Sequence, residues 1–346
     1  MKTTHIHGRS LQSEIAATGL TLTAKHNIRP RITLISVAGD DPMLEINRRL
    51  HLRTLDSYGI DVDDVALPND TDLNTLITAV REANANHNIH AIMTLLPLPP
   101  HLSIVSILPE IDPGKEVEGL HPDHSRALIA SNHPPSDAVV PLVPDAVLAT
   151  FSAYSVSLEN SRVVILTSKA LMESNPVANT VARMAAPAVL PLSCPVTVVP
   201  IEHPSAQQQA RDADVLIVSL EETEIVTADW VKQGATVVDF NPNFVGLRTN
   251  NEGREVPVLR GGVDTDSVDG HAGVLGAVPG GVGPVMLGIL VRNIALTALR
   301  QETCHTNTTN DATSLPAAES RSSLREPANE FPPIANTELA VGGGQA

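Results

Sequence analysis

The sequence has few aromatic residues and fewer basic than acidic residues. Four Phe, one Trp and two Tyr among 346 residues are too few for a surface on which nucleic-acid bases stack. Lys and Arg together number 23 against 39 for Asp and Glu, which gives a net charge of −16. A protein that neutralises phosphates needs the opposite balance. These counts argue against nucleic-acid binding.

Cysteine is also scarce. The two cysteines, Cys194 and Cys304, lie far apart, and neither belongs to a Cys-x-x-Cys or Cys/His pattern. This spacing supports neither a disulfide framework nor a metal site, and it is typical of a reducing compartment. No uninterrupted apolar run reaches the roughly 18 residues of a membrane span, and the first residues lack the apolar core of a signal peptide. We therefore expect a soluble cytoplasmic protein that binds no metal and no membrane.

Short apolar strands alternate with helical segments along most of the chain. This alternation is typical of α/β proteins, in which helices cover both faces of parallel sheets. It occurs in two series, with a boundary near residues 153–161, so we expect two α/β domains. The predicted strands are Ile32–Val37, Ala91–Leu95, Arg162–Thr167, Val196–Val199, Val215–Leu220 and Thr236–Phe240. The predicted helices are a segment between Pro42 and Gly59, then Asp72–Ala83, Asp145–Tyr154, Asn175–Ala185 and Pro284–Leu299.

The last part of the chain, residues 301–346, is rich in Asn, Thr, Ser, Glu and Pro. It has too little apolar surface to offset the entropy that ordering costs. We therefore predict a disordered, solvated tail, with a tail that binds a partner as the alternative.

Three short segments contain residues suited to ligand binding. Val278–Pro284 has three glycines at the start of the last predicted helix, where backbone amides favour polar or anionic groups; a tight turn without a ligand is the alternative. Leu96–Pro100 ends a predicted strand with prolines, as a plain loop would also do. Lys115–Gly119 combines two carboxylates and an ammonium, as would an ordinary cluster of surface charges.

These segments belong to a set of six motifs, and with them the chain resembles the FolD-type methylenetetrahydrofolate dehydrogenase/cyclohydrolase family over about residues 5–300. Each motif is short, but their common order and spacing are specific. The motifs are Asp41-Pro42, LPLP at 96–99, KEVEGLHP at 115–122, VPLVP at 140–144, ADVLIV…ADWVKQGATVVD at 213–239 and PGGVGP at 279–284.

The resemblance implies the architecture and the ligands. It implies an N-terminal α/β domain in residues 1–153, completed by the helix 284–299, and a C-terminal Rossmann-like domain in residues 154–283. A folate-type substrate of one-carbon metabolism would occupy the cleft between them, and NADP would be the cofactor. A homodimer, typically formed through the nucleotide domain, is also implied.

Four positions of the family's folate site carry different residues here. The family has Tyr and Lys one helical turn apart on the helix after the first strand, so that both face the cleft; the matching residues are Asn47 and His51. The family's Gln before LPLP matches Leu95, and the Asp that binds the pterin matches Glu118. We take His51 and Glu118 as candidate catalytic residues, because Asn47 lacks the ring and Leu95 cannot form the hydrogen bond. The motifs also imply that the substrate is contacted by Pro97, Gly280, Gly281, Gly283 and Pro284.

The cofactor site departs from the family pattern as well. No glycine follows the strand Arg162–Thr167, which leaves Ser168 and Lys169 as the candidate contacts to a dinucleotide. The family's Val-Gly-x-Pro-Gly loop matches residues 220–224, which include Glu221, Glu222 and Glu224. Three negative charges near a pyrophosphate disfavour binding, and Lys169 is the nearby cation. We therefore expect NADP-dependent hydride transfer to be absent or very weak.

Three functional hypotheses follow. In the first, the chain is a folate enzyme that retains cyclohydrolysis, which needs no nucleotide, with His51 as general base and Glu118 holding the pterin. In the second, it is a non-catalytic paralogue, a pseudoenzyme that acts by ligand binding or oligomerisation. In the third, a different small-molecule enzyme uses the same cleft.

Overall fold

The computed structural model describes residues 2–130, 139–174 and 194–312. Its two parallel sheets have three and six strands, in the orders β3-β2-β4 and β1-β11-β8-β7-β5-β6, and β9 and β10 form an antiparallel hairpin. In chain order, the strands are β1 Thr4–His5, β2 Arg31–Val37, β3 Asp61–Leu67, β4 Ala91–Thr94, β5 Val163–Thr167, β6 Val196–Pro200, β7 Val215–Val218, β8 Thr236–Asp239, β9 Asn243–Thr249, β10 Glu255–Arg260 and β11 Val274–Gly276.

Helices cover these sheets. In chain order they are α1 Gly8–Lys25, α2 Pro42–Ser57, α3 Leu73–Ala85, α4 Ile104–Ile107, α5 Pro122–Ala130, α6 Leu142–Ala153, α7 Lys169–Ser174, α8 Ala206–Arg211, α9 Thr265–Val268 and α10 Val282–Ala312. The predicted α/β class, with an N-terminal domain followed by a Rossmann-like domain, is confirmed.

The strand-turn-helix unit from β2 to α2 shows how local sequence sets the fold. All residues of β2 after Arg31 are buried, as expected for the central strand of a covered parallel sheet. The side chain of Asp41 accepts a hydrogen bond from the Met43 amide, and Pro42 occupies the first turn, so α2 begins with a cap and a proline. Gly59 follows the helix with a φ of +71°, the left-handed conformation common after helix ends.

The strand order of the six-stranded sheet changes direction at β5, the strand next to the edge strand β6. From β5 the chain passes to β6 on one side, and then returns to β7 on the other side of β5. In open α/β sheets, ligands bind outside the carboxyl ends of the strands at such a switch point. The fold therefore places Thr167, at the end of β5, and Ser219, just after β7, where a Rossmann domain binds its ligand.

The two ends of the described chain cross between the sheets. Strand β1 pairs with β11 in the six-stranded sheet, whereas α10 contacts α1, α2 and α6 and the strands β2 and β4. One hydrophobic core includes Leu34 of the first sheet, Ile165 of the second and Ile289 of α10. The segment Val282–Thr303 is long and apolar enough to cross a membrane, but 67% of its most apolar window is buried inside the protein. We therefore assign it as a core helix.

The end of α10 corrects one prediction. The helix continues to Ala312, beyond the predicted end at Leu299, so residues 301–312 are helical although we predicted disorder from residue 301. The polar composition hid this extension. Its first residue is anchored to the N-terminal domain: the Gln301 side-chain amide donates to the carbonyl oxygens of His90 at 2.8 Å and Gly114 at 3.0 Å. Residues 313–346 and the predicted helix Asn175–Ala185 lie outside the described residues.

Candidate functional site

His51 and Asn47 lie one turn apart on α2, and both are half-buried. The His51 Nδ1 lies 2.7 Å from the backbone oxygen of Asn47. A carbonyl only accepts, so Nδ1 carries the proton and Nε2 keeps its lone pair. Burial lowers the pKa of His51 below the usual histidine range, so the ring is neutral at neutral pH. His51 is therefore equipped to accept a proton but lacks the charge of the family's lysine.

Leu95 follows β4 and is 1% exposed. It belongs to the same hydrophobic core as Leu34 and Leu44, and its amide donates to the Ile35 oxygen at 2.8 Å. The Leu95 side chain therefore stabilises the domain by apolar burial, and it offers no polar group to a ligand.

The charges of Lys115–Gly119 are not a surface cluster, so that interpretation is wrong. Lys115 is 7% exposed and Glu116 is 2% exposed. The Lys115 Nζ donates to the backbone oxygens of Ala83, Asn84 and Asn86 at 3.2, 2.8 and 2.9 Å. These carbonyls lie at the end of α3, where the negative end of the helix dipole stabilises a cation. Hydrogen bonding of its ammonium to three acceptors is what permits the burial of Lys115.

Glu118 lies in the middle of this loop and is half-buried. Burial, and in second place the negative charge of Glu116, raises the pKa of Glu118 well above the usual range. Its backbone is held at both ends: the Glu118 amide donates to Glu116 Oε1 at 2.6 Å, and its carbonyl accepts from the Leu142 amide at 3.1 Å. Among the described contacts, no hydrogen bond or ion pair joins Glu118 to His51.

Pro97 lines a cavity of about 750 Å³ at the carboxyl ends of β2, β3 and β4. Pro97 is half-buried, and the peptide bond that precedes it is cis. The walls combine apolar residues with three carboxylates, of which only Asp41 belongs to a motif singled out from the sequence. The cavity is lined by Gly39, Asp40, Asp41, Leu44, Asn69, Asp70, Pro97, Leu98, Pro99, Pro100 and His101.

The glycines of PGGVGP have different roles. Gly280 has a φ of +103°, and its oxygen accepts from the Gly8 amide at 2.9 Å. A side chain on Gly281 would place Cβ 2.7 Å from the oxygen of Ala277. The backbone therefore requires glycine at 280 and 281, whether or not a ligand contacts them. Gly280 and Gly283 are both exposed with open space beside them, and Pro284 is half-buried in the first turn of α10. Gly281 is buried, so Gly280, Gly283 and Pro284 are the predicted contacts that a ligand could reach.

On the cofactor side, the protein's own groups occupy the start of α7. The buried Ser168 Oγ accepts from the Leu171 amide at 3.0 Å. The amide of the exposed Lys169 faces both carboxylate oxygens of Glu202, at 3.2 and 3.3 Å. A hydrogen bond between the Ile201 amide and the Thr167 oxygen, at 2.7 Å, brings Glu202 to this place. We did not predict a role for Glu202 from the sequence. The feature that could have indicated it is an acidic residue just after β6, the strand that neighbours β5.

The acidic loop after β7 contains a second cation that the sequence did not reveal. Glu224 has a φ of +58° and forms an ion pair with Arg260, so Lys169 is not the sole nearby cation. Arg260 is distant in sequence but lies at the end of β10. Glu221 and Glu222 are exposed and have no ion pair among the described residues. Arg260 therefore offsets one of the three negative charges.

Two buried hydroxyls lie at the same edge of the sheet. Thr167 and Ser219 are 2% and 1% exposed, and neither side-chain oxygen has a hydrogen-bond partner. The pairing of Leu166 with Val218 places Thr167 and Ser219 side by side at the carboxyl ends of the neighbouring strands β5 and β7. They supply hydroxyls at the switch point but no positive charge. Within the described ranges, no group of three or more His, Cys, Asp or Glu residues is arranged to hold a metal ion.

Comparisons with known proteins agree with this architecture. Two family models match: "Tetrahydrofolate dehydrogenase/cyclohydrolase, catalytic domain" over residues 6–118, and "Tetrahydrofolate dehydrogenase/cyclohydrolase, NAD(P)-binding domain" over residues 141–302. The chain is 31% identical over 292 residues to the bifunctional protein FolD of Streptococcus pyogenes, covering 84% of this chain and 95% of that protein.

Solved structures give the same result. The bifunctional enzyme FolD from Campylobacter jejuni is 26% identical with a TM-score of 0.71, covering 86% of this chain and 99% of its own. The N5,N10-methylenetetrahydrofolate dehydrogenase-cyclohydrolase of Trypanosoma brucei was solved with NADP cofactor and an inhibitor. It is 26% identical with a TM-score of 0.74, covering 88% of this chain and 99% of its own. The predicted resemblance is confirmed: the chain belongs to the FolD family of tetrahydrofolate dehydrogenase/cyclohydrolases of folate one-carbon metabolism, with a catalytic domain followed by an NAD(P)-binding domain.

Proposed function

We propose that this family member has lost NADP-dependent hydride transfer and keeps cyclohydrolysis, the addition of water to a methenyl-tetrahydrofolate. The observation that carries the loss is the Glu202 carboxylate on the Lys169 amide. In a Rossmann domain, the pyrophosphate lies at the start of the helix that follows the first strand. Here that amide already has an anionic partner, and a phosphate would have to displace a carboxylate of its own charge sign.

The surrounding charges act in the same direction. Two like charges about 4–6 Å apart cost about 1–4 kcal/mol, depending on solvent access. Glu221 and Glu222 add negative charge at the rim, and Arg260 is committed to Glu224. Thr167 and Ser219 offer hydroxyls but cannot neutralise phosphates. NADP does not fit this set of residues, and we assign no reaction step to it.

The folate side retains the groups for hydrolysis. His51 has a free Nε2 lone pair and a fixed ring, because Nδ1 donates to the Asn47 oxygen. In the proposed reaction, Nε2 takes a proton from a water molecule as the water oxygen bonds to the methenyl carbon and the C=N π electrons return to nitrogen. The ring C–N bond of the resulting carbinolamine then breaks: the departing nitrogen takes the proton from His51, the hydroxyl proton goes to solvent, and a formyl group is left on the other nitrogen. Glu118 holds the pterin. The substrate is contacted by Pro97, Gly280, Gly283 and Pro284. The ring that the family's Tyr supplies is missing at Asn47, so we expect slow turnover.

A second candidate function is favoured by Leu95. Its side chain is part of the core, and therefore one polar contact to the folate is replaced by apolar packing. A chain that binds a folate-type ligand without catalysis would tolerate this replacement. In this alternative, the protein is a pseudoenzyme that acts through ligand binding or oligomerisation.

Three measurements on the purified protein test these proposals. We expect no NADP reduction with methylene-tetrahydrofolate, slow hydrolysis of methenyl-tetrahydrofolate followed by its absorbance, and heat of binding with 5-formyltetrahydrofolate in calorimetry. NADP reduction at the rate of an active FolD enzyme would refute the loss of hydride transfer. Binding without hydrolysis would favour the pseudoenzyme. No binding of any folate would refute both candidates.

We also propose a cytoplasmic homodimer that forms through the β9–β10 hairpin. Val245 and Leu247 are 48% and 57% exposed on β9, and a two-stranded ribbon with exposed apolar side chains is only marginally stable in water. A second copy would cover these residues. Light scattering should give twice the monomer mass for the native chain and the monomer mass for Leu247→Glu. A native monomer at micromolar concentration would contradict the dimer.

A further inference from the structure

The turn from Glu116 to His121 is built around a buried carboxylate. Glu116 Oε1 accepts from the Glu118 amide at 2.6 Å, and Oε2 accepts from the amides of Gly119 at 3.0 Å and His121 at 3.3 Å. Glu116 is 2% exposed, and a carboxylate is stable at such a site only when hydrogen bonds satisfy it. The carboxylate and the turn therefore fix each other's conformation.

Other elements hold the same turn from outside. The Asn293 side chain of α10 donates to the Val117 oxygen at 2.9 Å, and the His124 Nε2 of α5 lies 3.6 Å from Glu116 Oε2. Gly119 has a φ of +74°, and a Cβ there would lie 2.5 Å from the Pro141 nitrogen. Segments on three sides thus leave this turn a single shape.

We propose that Glu116 is a positioning residue for Glu118, which holds the turn so that the Glu118 side chain is presented to the ligand. This inference rests on the proposed function, because the ligand contact of Glu118 is part of that proposal. The shortest hydrogen bond of Glu116 is the one to the Glu118 amide itself, so loss of the carboxylate acts first at the backbone that carries Glu118.

The geometry separates this role from general stabilisation. The buried Lys115, next in sequence, bonds only backbone oxygens at the end of α3, and it therefore stabilises a helix end. Glu116 instead bonds the amides within the turn. A substitution at Glu116 should therefore weaken ligand binding by more than the loss of folding stability accounts for. The change in the turn should be seen in the hydrogen exchange of the amides of Glu118, Gly119 and His121.

The test compares Glu116→Gln with Glu116→Asp. Glu116→Gln keeps the size of the side chain but loses the negative charge of the carboxylate, which accepts hydrogen bonds from three amides. Glu116→Asp keeps a carboxylate. We expect Glu116→Gln to bind 5-formyltetrahydrofolate about tenfold more weakly or worse, since a hydrogen bond to a charged group contributes roughly that factor. We expect Glu116→Asp to restore most of the affinity. Glu110→Gln, which removes an exposed ion pair with Arg81, is the matched control and should bind as the native chain does.

Amide hydrogen exchange of residues 118–121, measured without ligand, is the second readout. Faster exchange together with weaker binding in Glu116→Gln supports the inference. Two results overturn the inference when the native chain binds the folate. One is a Glu116→Gln variant with native affinity; the other is an equal loss of affinity in Glu116→Gln and Glu116→Asp. If the native chain itself binds no folate, the proposed function fails, and this inference fails with it. Should Glu116→Gln not fold, Asn293→Leu removes the bond to Val117 instead; faster exchange with weaker binding supports the inference, and native affinity overturns it.

Discussion

Asp239, at the end of β8, should make the stability of the protein depend on pH. It is 1% exposed; its Oδ2 accepts from the Val263 amide at 2.9 Å, and its Oδ1 has no partner. Burial raises the pKa of Asp239 from 3.8 to about 7, although hydrogen bonds from backbone amides oppose this. The folded chain therefore keeps a proton that the unfolded chain releases.

The sign and size follow from this difference in proton uptake. Below pH 3.8 the carboxyl is protonated in both states, and its contribution to stability is fully present. As the pH rises towards about 7, the free energy of unfolding falls by about 1.4 kcal/mol for each pH unit, and then levels off. Between about pH 5 and about pH 8 the loss is therefore about 3 kcal/mol.

Asp239→Asn replaces the titrating carboxyl group with an uncharged amide and keeps the shape of the side chain. Thermal unfolding of the native chain and of this variant, recorded from about pH 5 to about pH 8, measures the effect; about 3 kcal/mol corresponds to about 5 °C or more in a domain of this size. We expect the Tm of the variant, relative to the native chain, to rise by that amount across the range.

Asp229→Asn is the matched control for this measurement. Asp229 is an exposed residue of the same domain, and hydrogen bonding by Thr227 is the main cause that lowers its pKa. It is ionised in both states across this range, so its effect on the Tm should not change with pH. A constant Tm difference between Asp239→Asn and the native chain would show that Asp239 carries no proton, and would refute the reasoning.

Four further predictions concern the site and the fold. His51→Ala should abolish most of the hydrolysis of methenyl-tetrahydrofolate, and an unchanged rate would remove His51 from the mechanism. Because burial lowers the pKa of His51, the native rate should decline only below pH 6.5; a decline that begins above this value would contradict a neutral buried base. Glu202→Gln should leave hydrolysis unchanged and strengthen the weak binding of NADP, measured by calorimetry, by about tenfold; unchanged binding would show that other residues exclude it. Lys115→Met should lower the Tm, because three carbonyls at the end of α3 lose their donor; an unchanged Tm would show that water replaces the ammonium.

Much of the fold was predictable because its signals are local. The apolar runs of β2, β5 and β7 and the capping residues around α2 are visible in the sequence, and the structure has these elements within a few residues of the predicted bounds. Strand β3 was missed because its Asp residues interrupt the apolar pattern. The hairpin β9–β10 was missed because its apolar residues are exposed.

The site was less predictable because its chemistry depends on distant partners. The motif order identified the family, but burial and pairing determine what each charge does. Lys115 was interpreted with the neighbouring carboxylates, whereas its acceptors lie at the end of α3. Glu224 was counted as an unbalanced charge, whereas Arg260, 36 positions away in sequence, neutralises it. Pairings between residues so far apart leave no periodic signal.

The crossing of both chain ends has a consequence for biosynthesis. Synthesis from the N-terminus produces β1 first, long before its neighbour β11 exists. It produces α10 after strands β1–β11, although α10 fills the core beside β2 and β4. The apolar face of the first half therefore stays uncovered on the ribosome until the residues of α10 have been made. Truncation before residue 282 would leave that face exposed to chaperones and to aggregation.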